Sequence, residues 1–138
     1  MGDSMLDFYV DPAPYGGKKP GPFGAIEKSA YTTGANSIMT ATLAAPATTN
    51  RIFVCGFYIG GLGATAAAGK AVSITGLVGG QRDFIIPIPA GATVGVPPLF
   101  IDFTRPLVGL QGTAVQLVVA AYGTGNTSAQ CAIWGFEV

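Results

Sequence analysis

From position 37 onward the apolar residues fall in short runs separated by turn residues, and several runs alternate strictly with polar positions. Residues 37–43 set Ile38, Thr40 and Thr42 against Met39, Ala41 and Leu43, the period-two pattern of a strand with one buried face. Residues 51–60 are apolar on both faces, with Ile52, Val54 and Tyr58 opposite Phe53, Cys55, Phe57 and Ile59. That pattern predicts a central strand, or one covered by another subunit. Residues 71–77 place Val72 and Ile74 opposite Ser73 and Thr75, which leaves one face wet. Residues 82–88 contain Pro87, which cannot donate to a ladder and therefore predicts a sheet edge. Residues 99–104 set Leu99, Ile101 and Phe103 against Phe100 and Asp102, and residues 113–122 and 129–138 complete a set of seven or eight strands. The last two are joined by residues 123–128, Gly-Thr-Gly-Asn-Thr-Ser, which have the chemistry of a hairpin turn. No stretch has helical amphipathicity. The fold expected is all-β, a β-sandwich of Greek-key or jelly-roll type, with a closed barrel as the alternative.

The opening segment differs from the rest. Asp3, Asp7, Asp11, Lys18, Lys19, Glu27 and Lys28 make up half of the fourteen formal charges and lie in the first 28 residues. Pro12, Pro14, Pro20 and Pro22 fix φ there and withhold backbone donors, so residues 1–30 read as an extended Pro/Gly-rich N-terminal arm and residues 31–138 as the sandwich domain. The arm also carries Phe8, Tyr9, Tyr15, Phe23 and Tyr31. Aromatic side chains in a segment poor in backbone hydrogen bonds point to docking on a surface.

Composition narrows the function classes. A chain of 138 residues is enough for one domain, and 49% hydrophobic residues rule out disorder for its bulk. Twenty-one Gly and ten Pro without a three-residue period argue against collagen and against long helices. There is no histidine, which removes the commonest general base and zinc ligand and predicts little titration of any assembly between about pH 6 and 8. A formal net charge of zero gives no global attraction to nucleic acid. Residues 1–7 lack the layout of a secretory signal, and Leu6 stands where myristoylation needs Ser or Thr. Cys55 and Cys131 sit in apolar runs without partners at metal-ligand spacing, and read as reduced core thiols from a reducing cytoplasm, with a disulfide between them as the alternative. Residues 52–69 are uncharged over membrane length, but their second half is too rich in Gly and Ala for a span, so no membrane is expected.

Candidate chemistry is sparse. Gly61-Leu62-Gly63-Ala64-Thr65-Ala66 fits the dinucleotide fingerprint, yet Gly69 and the strand after it leave no room for the required helix. Asp83, Asp102 and Glu137 are the only carboxylates of the domain from residue 31 on, and each has a simple reading as a surface ion pair, Asp83 beside Arg82 and Asp102 near Arg105. Asn126-Thr127-Ser128 matches a glycosylation acceptor but reads as turn chemistry. Trp134, alternating with Phe136 and Val138, reads as core or subunit contact. No catalytic residue, cofactor or metal is expected, and the chain reads as non-enzymatic.

The order of these features resembles a known group. An arm, short Val/Ile/Phe strands, the run Ile86-Pro87-Ile88-Pro89-Ala90-Gly91, the segment Phe103-Thr104-Arg105-Pro106-Leu107 and a closing Ala132-Ile133-Trp134-Gly135-Phe136 are similar in texture to the capsid cement, or decoration, proteins of tailed bacteriophages with a jelly-roll fold. The resemblance covers about residues 30–138. It implies a virion protein, made in the bacterial host cytoplasm, that sits on the capsid exterior, binds the major capsid protein, bridges neighbouring subunits and self-associates as a homodimer or trimer. On that reading Phe8, Tyr9, Tyr15, Lys18, Lys19 and Phe23 of the arm contact the partner. The competing class is a carbohydrate- or receptor-binding module of a phage fibre, with Tyr58, Tyr122 and Trp134 as stacking residues.

Overall fold

The computed structural model describes residues 24–138. They form eight strands: β1 (Ile26–Gly34), β2 (Met39–Leu43), β3 (Ile52–Gly61), β4 (Ala68–Thr75), β5 (Arg82–Ile88), β6 (Leu99–Val108), β7 (Val115–Val119) and β8 (Ala129–Glu137). Sheet I has the order β1-β8-β3-β6 and sheet II the order β2-β7-β4-β5, with every pairing antiparallel. First pairs with last, second with seventh, third with sixth and fourth with fifth. This nesting, wrapped into two four-stranded layers, is the winding of a jelly-roll sandwich.

The alternating patterns place the core. Met39, Ala41 and Leu43 of β2, Val72 and Ile74 of β4, and Val115, Leu117 and Val119 of β7 point inward from sheet II and are buried. Ile52, Val54, Phe57 and Ile59 of β3 meet them from sheet I with Cys131 and Ile133 of β8. Phe57 lies at the centre, its ring 5.2 Å from that of Phe84 in sheet II and 6.0 Å from that of Phe103 in its own sheet. β5 is an edge strand, as Pro87 predicts.

Four expectations are corrected. The register of β3 against both β6 and β8 shifts between Val54 and Gly56, a bulge that inserts one residue. Strict alternation groups Tyr58 with Ile52 and Val54; the bulge re-phases the strand, so Phe57 and Ile59 turn inward and Tyr58 outward. Residues 123–128 do not close a hairpin, because β7 belongs to sheet II and β8 to sheet I, and the loop crosses between layers. β1 begins at Ile26, inside the span assigned to the arm. Its inward row of Ile26, Lys28, Ala30, Thr32 and Gly34 has no apolar period, which hid the strand. Asp83, expected beside Arg82, accepts instead from Ser73 Oγ at 2.8 Å and Gln81 Nε2 at 2.6 Å, while Arg82 donates to the Gly80 carbonyl. Both cysteines are free thiols. Cys131 lies opposite Ile59, four residues along β3 from Cys55, a rise of about 13 Å that no disulfide spans.

Candidate functional site

The two outer faces of the sandwich differ in chemistry. Sheet II shows Thr40 and Thr42, Gln116, Ser73 and Asp83 to solvent, with Gln116 Nε2 donating to Thr42 Oγ1 at 3.2 Å. Ala71, Ile85, Pro87 and Val118 are its apolar exceptions.

Sheet I shows aromatic rings. Cross-strand register places Phe53 opposite Phe136, Tyr58 opposite both Ala132 and Phe100, and Trp134 opposite Gly56 and Ser29. Tyr31 and Phe100 are 69% and 64% exposed, while Phe53, Tyr58, Trp134 and Phe136 are half-buried against one another. Phe53 and Phe136 stack with centroids 5.3 Å apart, and Phe100 tilts against Trp134 at 5.4 Å. Two glycines give the rings their places. A Cβ at Gly56 would lie 2.7 Å from Trp134 Cζ2 and clash with the Ile101 carbonyl oxygen, so the indole rests on bare backbone. A Cβ at Gly60 would strike the Tyr58 ring, with Cζ at 2.9 Å. Aromatic rings over strand glycines shield the backbone hydrogen bonds there and hold the rings flat against the sheet. Glu27 on β1 and Asp102 on β6 stand on the two edge strands of this face. The result is an aromatic surface interrupted by Glu27, Ser29, Gln130 and Asp102, the kind of surface that marks an interface.

Two buried polar clusters tie the ends of the sandwich and are structural. Glu137, 6% exposed, accepts from Ala47 N at 3.0 Å and Asn50 Nδ2 at 2.9 Å and pairs with Lys28 Nζ at 3.1 Å. These partners, Asn50 first, hold its carboxyl below the ordinary value of 4.5. At the opposite end Asn126, 5% exposed, donates Nδ2 to the carbonyls of Leu62, Ser128 and Gly63 at 2.8, 3.0 and 3.3 Å. Its Oδ1 accepts from Asn36 N at 2.9 Å, and Asn36 Oδ1 accepts in return from Gly123 N. The amide nitrogen is fully engaged, so the acceptor motif is turn chemistry. Beside it lies a cavity of about 260 Å³ lined by Ala64, Thr65, Ala66, Lys70, Tyr122 and Thr124.

The remaining sequence motifs resolve simply. After Gly61 the chain enters β4 at Ala68 in the other sheet with no intervening helix, so the glycine fingerprint has no phosphate-binding helix N-terminus. Asp83 is on sheet II, Glu137 points inward at one end of β8, and Asp102 points outward opposite Gly56, so the carboxylates do not converge. Among the described residues no group of three or more His, Cys, Asp or Glu is gathered, and no helix is long and apolar enough to cross a membrane. Of the stacking set, Tyr58 and Trp134 share the aromatic face, but Tyr122 is 1% exposed in the core and donates its hydroxyl to the Gly60 carbonyl at 2.7 Å. Trp134 itself lies outside the core, on the outer face. Phe8, Tyr9, Tyr15, Lys18, Lys19 and Phe23 lie outside the described residues. The face as a unit was missed because the bulge hides Tyr58's orientation and nothing local in the chain joins Tyr31, Phe53, Phe100 and Phe136. Compared with protein-family models, with curated proteins and with solved structures, the chain matches none.

Proposed function

We propose that this protein is a structural, non-enzymatic virion protein, a capsid cement or decoration protein that binds the outside of the major capsid shell and bridges neighbouring subunits. The observation that carries this reading is the aromatic outer face of sheet I, set on a sandwich with few charges. A face of four strands about 4.8 Å apart and about 25–30 Å long offers roughly 500 Å² per partner, near the lower bound of a specific interface. Many copies on a shell, each engaging adjacent sites, make such modest contacts long-lived. On this reading Phe8, Tyr9, Tyr15, Lys18, Lys19 and Phe23, which precede the edge strand β1 in sequence, also contact the partner.

The test adds the full chain to heads of the phage that encodes it, prepared without it. Saturable binding in hundreds of copies per head is expected, lost in a Tyr31→Glu, Phe100→Glu chain that keeps its unfolding transition. A few copies per particle, or unchanged binding by the variant, overturns the reading. A carbohydrate-binding role draws support from one observation: Tyr58 and Trp134 are on the face with Gln130 Nε2 3.3 Å from Tyr58 Oη, aromatic platforms beside a polar group. Glycan-array binding lost on Trp134→Ala with folding unchanged would favour it over cement.

A further inference from the structure

We propose that the cavity beside Asn126 is a binding site for an aliphatic monocarboxylate of about four to eight carbons, held at its carboxylate by Lys70. The proposal does not rest on the shell reading, since none of the residues it uses stands on the aromatic face.

The position of Lys70 is the first observation. It lies on the row of β4 that carries Val72 and Ile74 into the core, opposite buried Ile86 of β5, and is itself half-buried. Among the described residues only one other lysine is on an inward row, Lys28, and there Glu137 meets it at 3.1 Å. Lys70 Nζ has no such partner among the described residues. Glu137 is engaged at the opposite end of the sandwich, Asp83 is on the outer row of sheet II, bonded to Ser73 and Gln81, and Glu27 and Asp102 are on the outer rows of sheet I. An ammonium drawn partly out of water beside methyl groups favours an anion brought from outside.

The lining decides which anion. Ala64, Ala66, Ala68 and the Tyr122 ring share the cavity with Thr65 and Thr124, and among the described residues neither threonine hydroxyl has a hydrogen-bond partner. One ammonium and two hydroxyls supply the donors that two carboxylate oxygens need. A phosphate is poorly served, because its sites use free backbone N–H groups or several cations. Here the amides are engaged, Ala64 N with the Pro89 carbonyl, Thr65 N with the Thr124 carbonyl and Gly123 N with Asn36 Oδ1, and Lys70 is the one cation in the lining. The methyl groups and the ring leave an apolar wall for a short stem. A cavity of about 150 Å³ holds a six-atom ring, so one of about 260 Å³ holds about ten non-hydrogen atoms, the size of octanoate.

The walls are also fixed in advance. Thr65 N donates to the Thr124 carbonyl at 2.8 Å, Gly91 N to the Ala64 carbonyl at 2.7 Å, and Asn126 ties Leu62 and Gly63 to Ser128. Binding therefore orders little that is not ordered already.

Amide shifts of the isotope-labelled full chain, titrated with hexanoate at pH 7 and constant ionic strength, test this. Saturable shifts at Thr65, Lys70 and Thr124 are expected, half complete at about 1–10 mM, the range open to a ligand of about eight non-hydrogen atoms. Lys70→Gln, at an unchanged thermal transition, should weaken binding about tenfold, as loss of a charge-assisted hydrogen bond does. Hexan-1-ol, which keeps the stem, and acetate, which keeps the charge, should each bind about tenfold more weakly than hexanoate. Ala66→Leu, at an exposed position of the lining, should give the same loss by filling the cavity, and decides the matter should Lys70→Gln fail to fold. No saturation by hexanoate, unchanged affinity in either variant, acetate binding as well as hexanoate, or phosphate shifting the same amides as strongly overturns the proposal. Heads that reject a chain able to take hexanoate would sink the cement reading and leave this proposal intact.

Discussion

Asn126 offers the sharpest test of how the sandwich is closed. Replacing it with Ala removes the donor to the Leu62, Gly63 and Ser128 carbonyls and the acceptor for Asn36 N, and so unties three loops at one end of the molecule. The Ser128 carbonyl keeps a bond from Leu62 N, so the loss falls on the other groups. Each buried group left without a partner costs about 1–3 kcal/mol, and partial relaxation and water entry bring the expected loss to about 2–4 kcal/mol. For a domain of this size each kcal/mol lowers Tm by about 3–4 °C, so Asn126→Ala should melt about 6–16 °C lower. Asn126→Asp separates donor loss from loss of shape. It keeps the acceptor but turns a carboxylate toward three carbonyl oxygens, which disfavours ionisation and raises its folded-state pKa above the ordinary value of about 3.9. The folded state then binds the proton more tightly than the unfolded chain. Relative to the unaltered protein, Asn126→Asp should therefore be worse than Asn126→Ala at pH 7 and should recover as pH falls toward 4. Urea unfolding of the three chains at pH 7 and pH 4 measures this. A loss below about 0.5 kcal/mol for Asn126→Ala, the size of an ordinary surface change, refutes the assignment of Asn126 as the tie.

Other outcomes follow from the same geometry. Glu137 has its folded-state pKa held below 4.5, so its contribution is present above that pH and is lost as pH falls through the lower folded value. Thermal melts of Glu137→Gln across pH 2–7 should show a flatter acid limb than the unaltered chain, and parallel limbs would count against the cluster. Burial pushes the Cys131 thiol up to about 11 from 9.0, so it stays protonated, and its share of stability falls as pH rises past 9.0 toward that value. Ellman's reagent at pH 8 should label at most one thiol in the native chain and two in denaturant; two fast native thiols would contradict the burial. Gly56→Ala drives a Cβ into Trp134 and the Ile101 carbonyl, and should cost about 1–3 kcal/mol while altering Trp134 emission.

Most of the fold was legible because one-sided strands announce themselves. In β2 and β4 the inward residues are apolar and the outward ones polar, so alternation alone separates Val72 and Ile74 from Ser73 and Thr75. β1 was invisible for the opposite reason: its inward row includes Lys28 and Thr32, and Lys28 is acceptable there only because Glu137 arrives from the far end of the chain. The bulge in β3 likewise leaves no local mark, since every residue from Ile52 to Ile59 except Gly56 is apolar, aromatic or cysteine and periodicity is blind in such a run. Tyr58 and Trp134 could be singled out as candidate surface residues by type. That they share a plane with Tyr31, Phe53, Phe100 and Phe136 depends on register between strands as much as a hundred residues apart in sequence, which no window along the chain contains.

The nested pairing also dictates when the molecule can exist. β1 has one ladder partner, β8, the eighth strand in chain order, and Gly34 waits for Ala129. At ordinary translation speeds of about 5–20 residues per second that interval is roughly 5–20 s, during which β3 is on the ribosome with its apolar residues uncovered by β8. Sheet I therefore cannot assemble strand by strand as it is made, because β1 and β3 both wait for β8. A chain that stops before β8 leaves β1 without its ladder partner and β3 paired only with β6, so sheet I is completed only when β8 is present.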